Sequence, residues 1–477
     1  MNAVAQKLLL WVLVISTMVM ILNETLLGVA LPTISEDFHV TAATVQWLTT
    51  GFLLVMAIVI PLTGWLLQRF STRTMFVAAL ALFTLGTVTS ALAPVFGVLL
   101  LGRMIQAIGT AIIIPLLMTV ALTIVPPERR GATMGLIGVV ISVAPALGPT
   151  VSGVILSTFT WHWLFWLILP IVLLCLAVGA RYTHNVSEHT HTKLDVASIP
   201  LSAVGFGGVV YGLSQLGDAV EHHNPTPFIV LALGVVFVGV FVFRQIKLGK
   251  RGEALLDMQP FRFPVFRVAV IAIGCSMGVL LGTAVVLPFF LQNALGASAL
   301  ATGLLMLPGG LLQGLVSPGI GRLYDSIGPR RLVIPGAVGL LTASVALSLL
   351  GTGTSLYVVL ACHMLLCLSL AFVMTPMMTD GLSVLPQQLY SHGSAILNTL
   401  QQLGGAAGTA LLVATMTIAA QNAGSASATD TDSSVLAREV ATAAGTSTAF
   451  MVGAALALIA LVTTLFTKSR PASPAAA

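Results

Sequence analysis

The sequence predicts an all-α membrane protein with fourteen transmembrane helices. Three observations predict it: the composition, the length of the apolar runs, and the placement of charge between them. Of 477 residues, 57% are hydrophobic and 7% are charged, whereas a soluble globular chain carries roughly a quarter charged residues. A soluble fold of this size is thereby excluded.

A helix crossing a hydrocarbon core of roughly 30 Å needs about 20 apolar residues. Fourteen runs of about that length, bounded by charges, Pro or Gly, follow one another along the chain. The first six are 8–31, 45–67, 75–93, 96–124, 132–157 and 163–180; two shorter ones, 199–216 and 228–243, come next. The last six are 265–291, 302–320, 332–350, 356–382, 393–419 and 443–465. The first run is too long for the core of a secretory signal, and no small-residue cleavage pattern follows it, so it reads as a spanning helix.

Charge tests this count independently, because cytoplasmic loops collect Lys and Arg. With fourteen spans, every Lys and Arg except Arg103, which falls inside a helix, and Arg438 falls on one side. The opposite loops carry Glu36, Asp37, Asp218, Glu221, Asp430, Asp432 and Glu439. Both termini are therefore expected to be cytoplasmic, in a multi-pass protein of the cell membrane. The net charge of +5 reflects this loop bias and implies no nucleic-acid partner. The four cysteines, Cys175, Cys275, Cys362 and Cys367, all sit in apolar runs and show no disulfide or zinc spacing. His184, His189 and His191 share a loop, but their spacing is too loose for a metal site, and no metal is expected.

An internal repeat divides the chain. Gly64-x-Leu66-x-Gln68-x-x-Ser71-x-Arg73 aligns with Gly321-x-Leu323-x-Asp325-x-x-Gly328-x-Arg330, and Val29-Ala30-Leu31-Pro32 aligns with Val285-Val286-Leu287-Pro288 at nearly the same separation. Two six-helix bundles, residues 1–185 and 256–477, are therefore expected to flank an inserted two-helix hairpin with its loops, residues 186–255.

These motifs resemble those of the major facilitator superfamily, in particular its fourteen-spanner drug:proton antiporters, over essentially the whole chain. The resemblance implies the major facilitator fold. The repeated loop motif resembles the superfamily's cytoplasmic gate, with Gly64, Arg69 and Arg73 in one copy and Gly321, Asp325, Gly328, Arg330 and Arg331 in the other. The first copy departs from the pattern, with Gln68 where an Asp is usual and Ser71 where a Gly is usual. Leu99-x-x-x-Arg103-x-x-Gln106-x-x-Gly109 resembles the proton-coupling motif of the fourth helix. Gly138-x-x-x-x-x-Ala144-Pro145-Ala146-Leu147-Gly148-Pro149-x-x-x-Gly153 resembles the antiport motif of the fifth, where glycines permit close helix approach and prolines bend the helix. Trp161-His162-Trp163-x-Phe165 with Pro170 resembles the entry to the sixth helix, and its physical reading is an interfacial aromatic anchor.

Arg103 is the sole basic residue at membrane depth, and an intramembrane Arg marks a functional site when a partner can be named. Glu24 is the carboxylate well inside a helix, and both lie at similar depth, roughly 10 Å from the outer boundary at 1.5 Å per residue. A Glu24–Arg103 pair is the expectation, either coupling protons or stapling two helices. The family signature has its acid where this chain has Asn23, one position and about 100° of helix away from Glu24.

Asn398, Gln401 and Gln402, with Gly404, Gly405 and Gly408, resemble the family's thirteenth helix; the amides either line a cavity or bond neighbouring helices. Asn23, Phe289, Gln313, Phe372 and His363 complete the candidate cavity, with packing the alternative for His363. Asp380, near the cytoplasmic end of its helix, is expected to be a gate partner for a loop Arg, with a substrate site as the alternative.

No GxxxxGK[ST] phosphate loop is present, so a transporter of this sequence draws on a gradient and needs no cofactor. The resemblance implies a non-enzymatic, proton-driven exporter of small lipophilic or cationic molecules, acting by alternating access, with protons and the lipid bilayer as further partners and a monomeric state. A lipid or metabolite exporter of the same fold remains an alternative, as does a membrane sensor or scaffold that transports nothing.

Overall fold

A computed structural model describes residues 3–183, 185–186, 195–216, 224–427 and 434–467. His184, His189, His191, Lys193, Asp218, Glu221, Asp430, Asp432, Lys468 and Arg470 lie outside the described residues.

In hydrocarbon each backbone polar group must be satisfied within its own segment, and long runs of Leu, Val, Ile and Ala meet that demand as helices. The described helices are α1 (Ala3–Asp37), α2 (Trp47–Arg69), α3 (Thr72–Ala91), α4 (Phe96–Ile124), α5 (Arg130–Leu156), α6 (Ile168–Tyr182) and α7 (Ser198–Ser214). They continue with α8 (Thr226–Gly249), α9 (Pro264–Asn293), α10 (Ala299–Ile327), α11 (Arg330–Ser348), α12 (Leu356–Ser383), α13 (Tyr390–Ser427) and α14 (Ser434–Leu465). Hydroxyls inside the apolar stretches donate back to their own helices, as Ser16 does to the Val12 carbonyl at 2.7 Å and Thr17 to that of Leu13 at 2.8 Å. These two hydroxyls thereby cross lipid depth with their donors satisfied.

Of these helices, 13 are long and apolar enough to cross a membrane. The expectation was fourteen. The exception is α7, whose 17 residues reach about 25 Å at 1.5 Å per residue, short of a full hydrocarbon core. The sixth run is interrupted: a short helical turn, Trp163–Trp166, precedes α6, which restarts at Ile168. Pro170 has no N–H to give to the Trp166 carbonyl, so the ladder breaks there. α14 begins at Ser434, which puts Arg438 inside a helix where a loop was expected.

Helix ends carry local signals. Ser71 caps α3 by accepting from the Thr74 N–H at 3.0 Å, and Ser298 caps α10 through the Ala301 N–H at 3.2 Å. Gly328 ends α10 with φ +79°, a conformation open to glycine.

Within the first part of the chain α1 packs on α4, α5 and α6, and α3 on α4; in the last part α9 packs on α13 and α14, and α11 on α12 and α14. Two seams join the parts, α5 against α10 and α2 against α13. Between them in sequence, α7 and α8 pair closely. A Cβ at Gly212 would stand 2.7 Å from the Leu231 side chain, and one at Gly234 would stand 2.6 Å from the Val209 nitrogen. α7 also packs on α2 and α13, whereas α8 exposes Phe228, Ile229, Leu233, Val236, Val240 and Phe243. A soluble monomer does not present so continuous an apolar face; lipid is its natural cover.

Candidate transport site

Arg103 is fully buried on α4, and its surroundings decide what it can do. Its Nη1 donates to Asn23 Oδ1 on α1 at 2.8 Å and to Gln106 Oε1, one turn along α4, at 2.9 Å. Phe52 of α2 lies under the guanidinium, 4.3 Å from its ring centre. An Arg offers donors alone, so the Gln106 amide must turn its oxygen toward Arg103 and its nitrogen away. That nitrogen donates to Thr87 Oγ1 at 2.8 Å, and Thr87 in turn donates to the Phe83 carbonyl at 2.7 Å. A directed chain of hydrogen bonds thus joins α1, α4 and α3. Gly86 and Gly102 make it possible, because a side chain on either would collide with the facing helix backbone.

The expected ion pair is not formed. Glu24 follows Asn23 on α1, is half-buried, and makes no salt bridge or hydrogen bond among the described residues, although it stands within electrostatic range of Arg103. The 100° turn between neighbouring helical positions aims Asn23, not Glu24, at the guanidinium. Arg103 Nε is buried with no partner among the described residues. A donor therefore stays unspent beside a nearby carboxylate.

The second loop-motif copy forms a helix cap across a seam. Asp325 on α10 accepts from the backbone N–H groups of Gly131 at 2.8 Å and Ala132 at 2.9 Å, the first turn of α5. Gly131 and Gly321 meet backbone to backbone. Arg330 and Arg331 stand exposed in the first turn of α11. The seam then runs along most of α5: Gly135 and Gly138 lie on Ser317, Val143 on Gly314, and Ala146 on Gly310. Gly310, Gly314, Ser317 and Gly321 recur every three or four positions, a pattern in the sequence that went unread. Tyr324, also on α10, donates to Asp380 of α12 at 3.2 Å.

The first copy makes the equivalent contact without a charge. Gln68 on α2 donates to the Gln388 carbonyl at 2.8 Å, just before α13, and Gly64 lies against His392, whose Nδ1 is 2.6 Å from where a Cβ would be. An amide suffices here because Gln68 meets a carbonyl, whereas Asp325 meets N–H groups. Arg73 is exposed in the first turn of α3 and Arg69 ends α2. Arg130, read from sequence as a loop charge only, donates to the Leu122 carbonyl at 2.9 Å and lies 5.4 Å from the Tyr390 ring centre. It closes the C-terminus of α4 against the start of α13, the favoured place for a cation.

The antiport motif forms the α1–α5 contact. Gly148 has no room for a side chain against Thr25, Ala144 is fully buried, and Pro145 and Pro149 lie within the helix, while Gly153 faces open space. Trp161 is buried and donates to Asp37 Oδ2 at 2.9 Å, so it locks the end of α1; the exposed anchor is Trp163.

The candidate cavity residues scatter. A cavity of about 600 Å³ opens between α2, α7, α9 and α13, and of the expected set Phe289 and Gln402 line it. Asn398 donates to Met118 Sδ at 3.3 Å and Gln401 to Met277 Sδ at 3.8 Å, so these amides face neighbouring helices. Phe372 packs on Gly336 of α11, and His363 lies against Gly309 with its Nε2 3.6 Å from Cys367 Sγ. Gln313 is buried on α10, and Asn23 belongs to the Arg103 cluster. Val210, Leu213 and Ser214 of α7, with Gln215 at its C-cap, line the cavity; nothing in their sequence pattern sets them apart from the rest of the apolar run.

Long lipid-facing helices, a small-residue seam between α5 and α10 and a buried cationic cluster define a polytopic membrane carrier. The family model of the Major Facilitator Superfamily matches residues 13–409, so the chain belongs to that superfamily and is a transporter, not an enzyme. It is 40% identical over 446 residues to the lincomycin resistance protein LmrB of Listeria monocytogenes, covering 93% of each chain. It is 41% identical over 447 residues to the LmrB of Bacillus subtilis, covering 94% of this chain and 92% of that one. Among solved structures, the human organic anion transporter MFSD10 superposes with a TM-score of 0.66 at 15% identity, covering 97% of this chain and 100% of that one. The proton:xylose symporter XylE gives 0.66 at 16%, covering 98% and 97%. At such identity these structures show the fold alone.

Proposed function

We propose that this carrier exports small lipophilic neutral or cationic molecules, lincomycin among them, in exchange for protons and by alternating access. The observation that carries the reading is the buried Arg103, bonded to Asn23 and Gln106 through Nη1, with its Nε unpartnered among the described residues and Glu24 within electrostatic range. A charge held at that depth is costly and calls for a function. In one state of the cycle Glu24 takes up a proton; in another, Arg103 and the entering substrate favour the bare carboxylate and the proton leaves on the opposite side. The names of the LmrB relatives support a drug as cargo.

The reading places residues 1–185 and 256–477 as two bundles that rock about the α5–α10 and α2–α13 seams, with the 186–255 hairpin inserted between them. Both termini face the cytoplasm of a cell membrane, no cofactor is needed, and the unit is a monomer. Proteoliposomes with an outward-directed lincomycin gradient and an internal pH dye test it. Wild type moves protons only when the gradient is applied, and Glu24→Gln abolishes that movement. Normal coupling in Glu24→Gln removes Glu24 from the mechanism.

A further inference from the structure

The two-helix hairpin has no counterpart in the internal repeat, yet its first helix stands where the two bundles meet. α7 is held against α2 by the Trp47–Tyr211 stack, with ring centres 6.0 Å apart, and by Gly207, which faces Leu54 and Ile58. Its last turn then reaches across toward α13. We propose that the cavity between α2, α7, α9 and α13 binds neutral amphipathic molecules bearing hydroxyl or amide groups, with α7 as one of its walls. The proposal rests on the export reading above and names the chemistry of its cargo.

Size, polarity and placement converge on it. About 600 Å³ lies within the range of small-molecule sites. The lining runs from Gln402 to Thr417 along α13, about 22 Å of helix, so the site is elongated. Among the described residues its polar groups are Gln46, Gln215, Gln402 and the hydroxyls of Ser214, Thr409 and Thr417, with no ionisable side chain in the lining. Amides and hydroxyls both donate and accept, which matches hydroxyl and amide ligands. A cation among these residues would be desolvated without a counter-charge, which disfavours it. Leu281, Val285 and Phe289 of α9 give the apolar body of such a ligand its cover. A molecule lodged here touches α2 of one bundle, α9 and α13 of the other, and the hairpin between them. Its binding therefore bears on how the bundles sit relative to each other, as a carrier's cargo must.

The test uses the full chain, in lipid nanodiscs for binding and in proteoliposomes for transport, with radiolabelled chloramphenicol, which carries hydroxyls and an amide but no charge, and with ethidium as a monocation. Ser214→Trp and Ala406→Trp, which fill the cavity from opposite walls, should each weaken chloramphenicol binding about tenfold. Val236→Trp, on the lipid-facing side of α8, should leave it unchanged. Gln402→Glu should shift preference toward ethidium by a similar factor. Ser214→Ala, too small to disturb packing, should lower affinity a few-fold and guards against misfolding of the Trp variants. If wild type binds and exports chloramphenicol while the Ser214→Trp and Ala406→Trp variants, eluting as intact protein, bind as wild type does, the site lies elsewhere and the export reading stands. If phospholipid alone competes for the cavity, it is a lipid site and the proposal falls. If wild type moves neither probe nor lincomycin, the export reading itself fails.

Discussion

Asp325 accepts from the Gly131 N–H at 2.8 Å, so a carboxylate from one half of the chain caps a helix that belongs to the other. The contact exists only while α5 and α10 are together at that end. A carboxylate at a helix N-terminus satisfies orphan donors and the positive end of the dipole, about 1 kcal/mol for the cap and somewhat less for the dipole. Asp325→Ala is expected to depopulate this closed arrangement roughly tenfold, in line with about 1.4 kcal/mol. Asp325→Asn, which keeps one acceptor, should lose less. Maleimide labelling of Ser317→Cys, a buried seam position, over the background of the four native cysteines reads the effect. Labelling that stays at the wild-type rate in Asp325→Ala would show that the cap does not hold the seam.

The Asn23–Arg103 contact makes a different prediction. Asn23→Ala leaves a buried guanidinium N–H unpaired, which is expected to cost about 1.5–3 kcal/mol. Asn23→Asp replaces the amide oxygen with a carboxylate at the same 2.8 Å position and turns a neutral acceptor into a fixed counter-charge. That variant should melt higher than wild type and export more slowly, because Arg103 no longer exchanges partners. Thermal melting in detergent together with efflux rates in vesicles checks both halves. A variant that is more stable and equally fast would show that Arg103 need not change partner.

What was legible in the sequence follows from where the physics is local. Helix positions were readable because hydrocarbon permits little besides a helix, and Arg103 stood out because a charge at depth is rare. Partner choice was not readable. Asn23 and Glu24 are neighbours in sequence, and only the rotation of α1 against α4 decides which of them meets Arg103. The α5–α10 seam left a visible trace at Gly310, Gly314, Ser317 and Gly321, but small residues are common in any spanning helix, so the trace gained meaning only beside Gly131 and Gly135. The cavity was the least legible, because its four walls, α2, α7, α9 and α13, come from helices distant in sequence.

Just before α7, Asp195 accepts from Arg244 of α8 through both of its oxygens, at 2.7 and 2.9 Å, which holds the Asp195 carboxyl below its ordinary value of 3.8. Gln245 extends the tie, donating to Ser198 at 2.7 Å and accepting from the Leu256 N–H at 3.1 Å. A depressed carboxyl contributes stability that is complete above its ordinary value and is lost as pH falls through the folded one. The pair is partly exposed on the Arg244 side, so screening keeps the effect small. Asp195→Asn should therefore lower the melting temperature slightly at neutral pH, and the difference from wild type should vanish as pH drops below the usual carboxyl range. A difference that persists in acid would assign the loss to packing.

Gly148 and Thr25 give the sharpest test of the antiport motif, because the structure states what fills the space a side chain would take. A Cβ at Gly148 collides with the Thr25 side chain, and Thr25 is itself anchored, its hydroxyl donating to the Leu22 carbonyl at 3.0 Å. Overpacking of this kind costs typically 1–3 kcal/mol. Gly148→Ala should thus separate α1 from α5 and carry Asn23, two residues before Thr25, away from Arg103. Thr25→Gly on its own removes contact and adds helix entropy cost, about 1 kcal/mol. Combined, the two changes move the side chain across the interface and relieve the collision, so the double variant should be more stable than the sum of the single effects predicts. Coupling of about 1 kcal/mol or more in a double-mutant cycle on melting, with partial recovery of lincomycin-driven proton movement, is the expected result. Additive losses would mean that Gly148 serves something other than the approach of α1, and the motif would then owe its effect to the bends at Pro145 and Pro149.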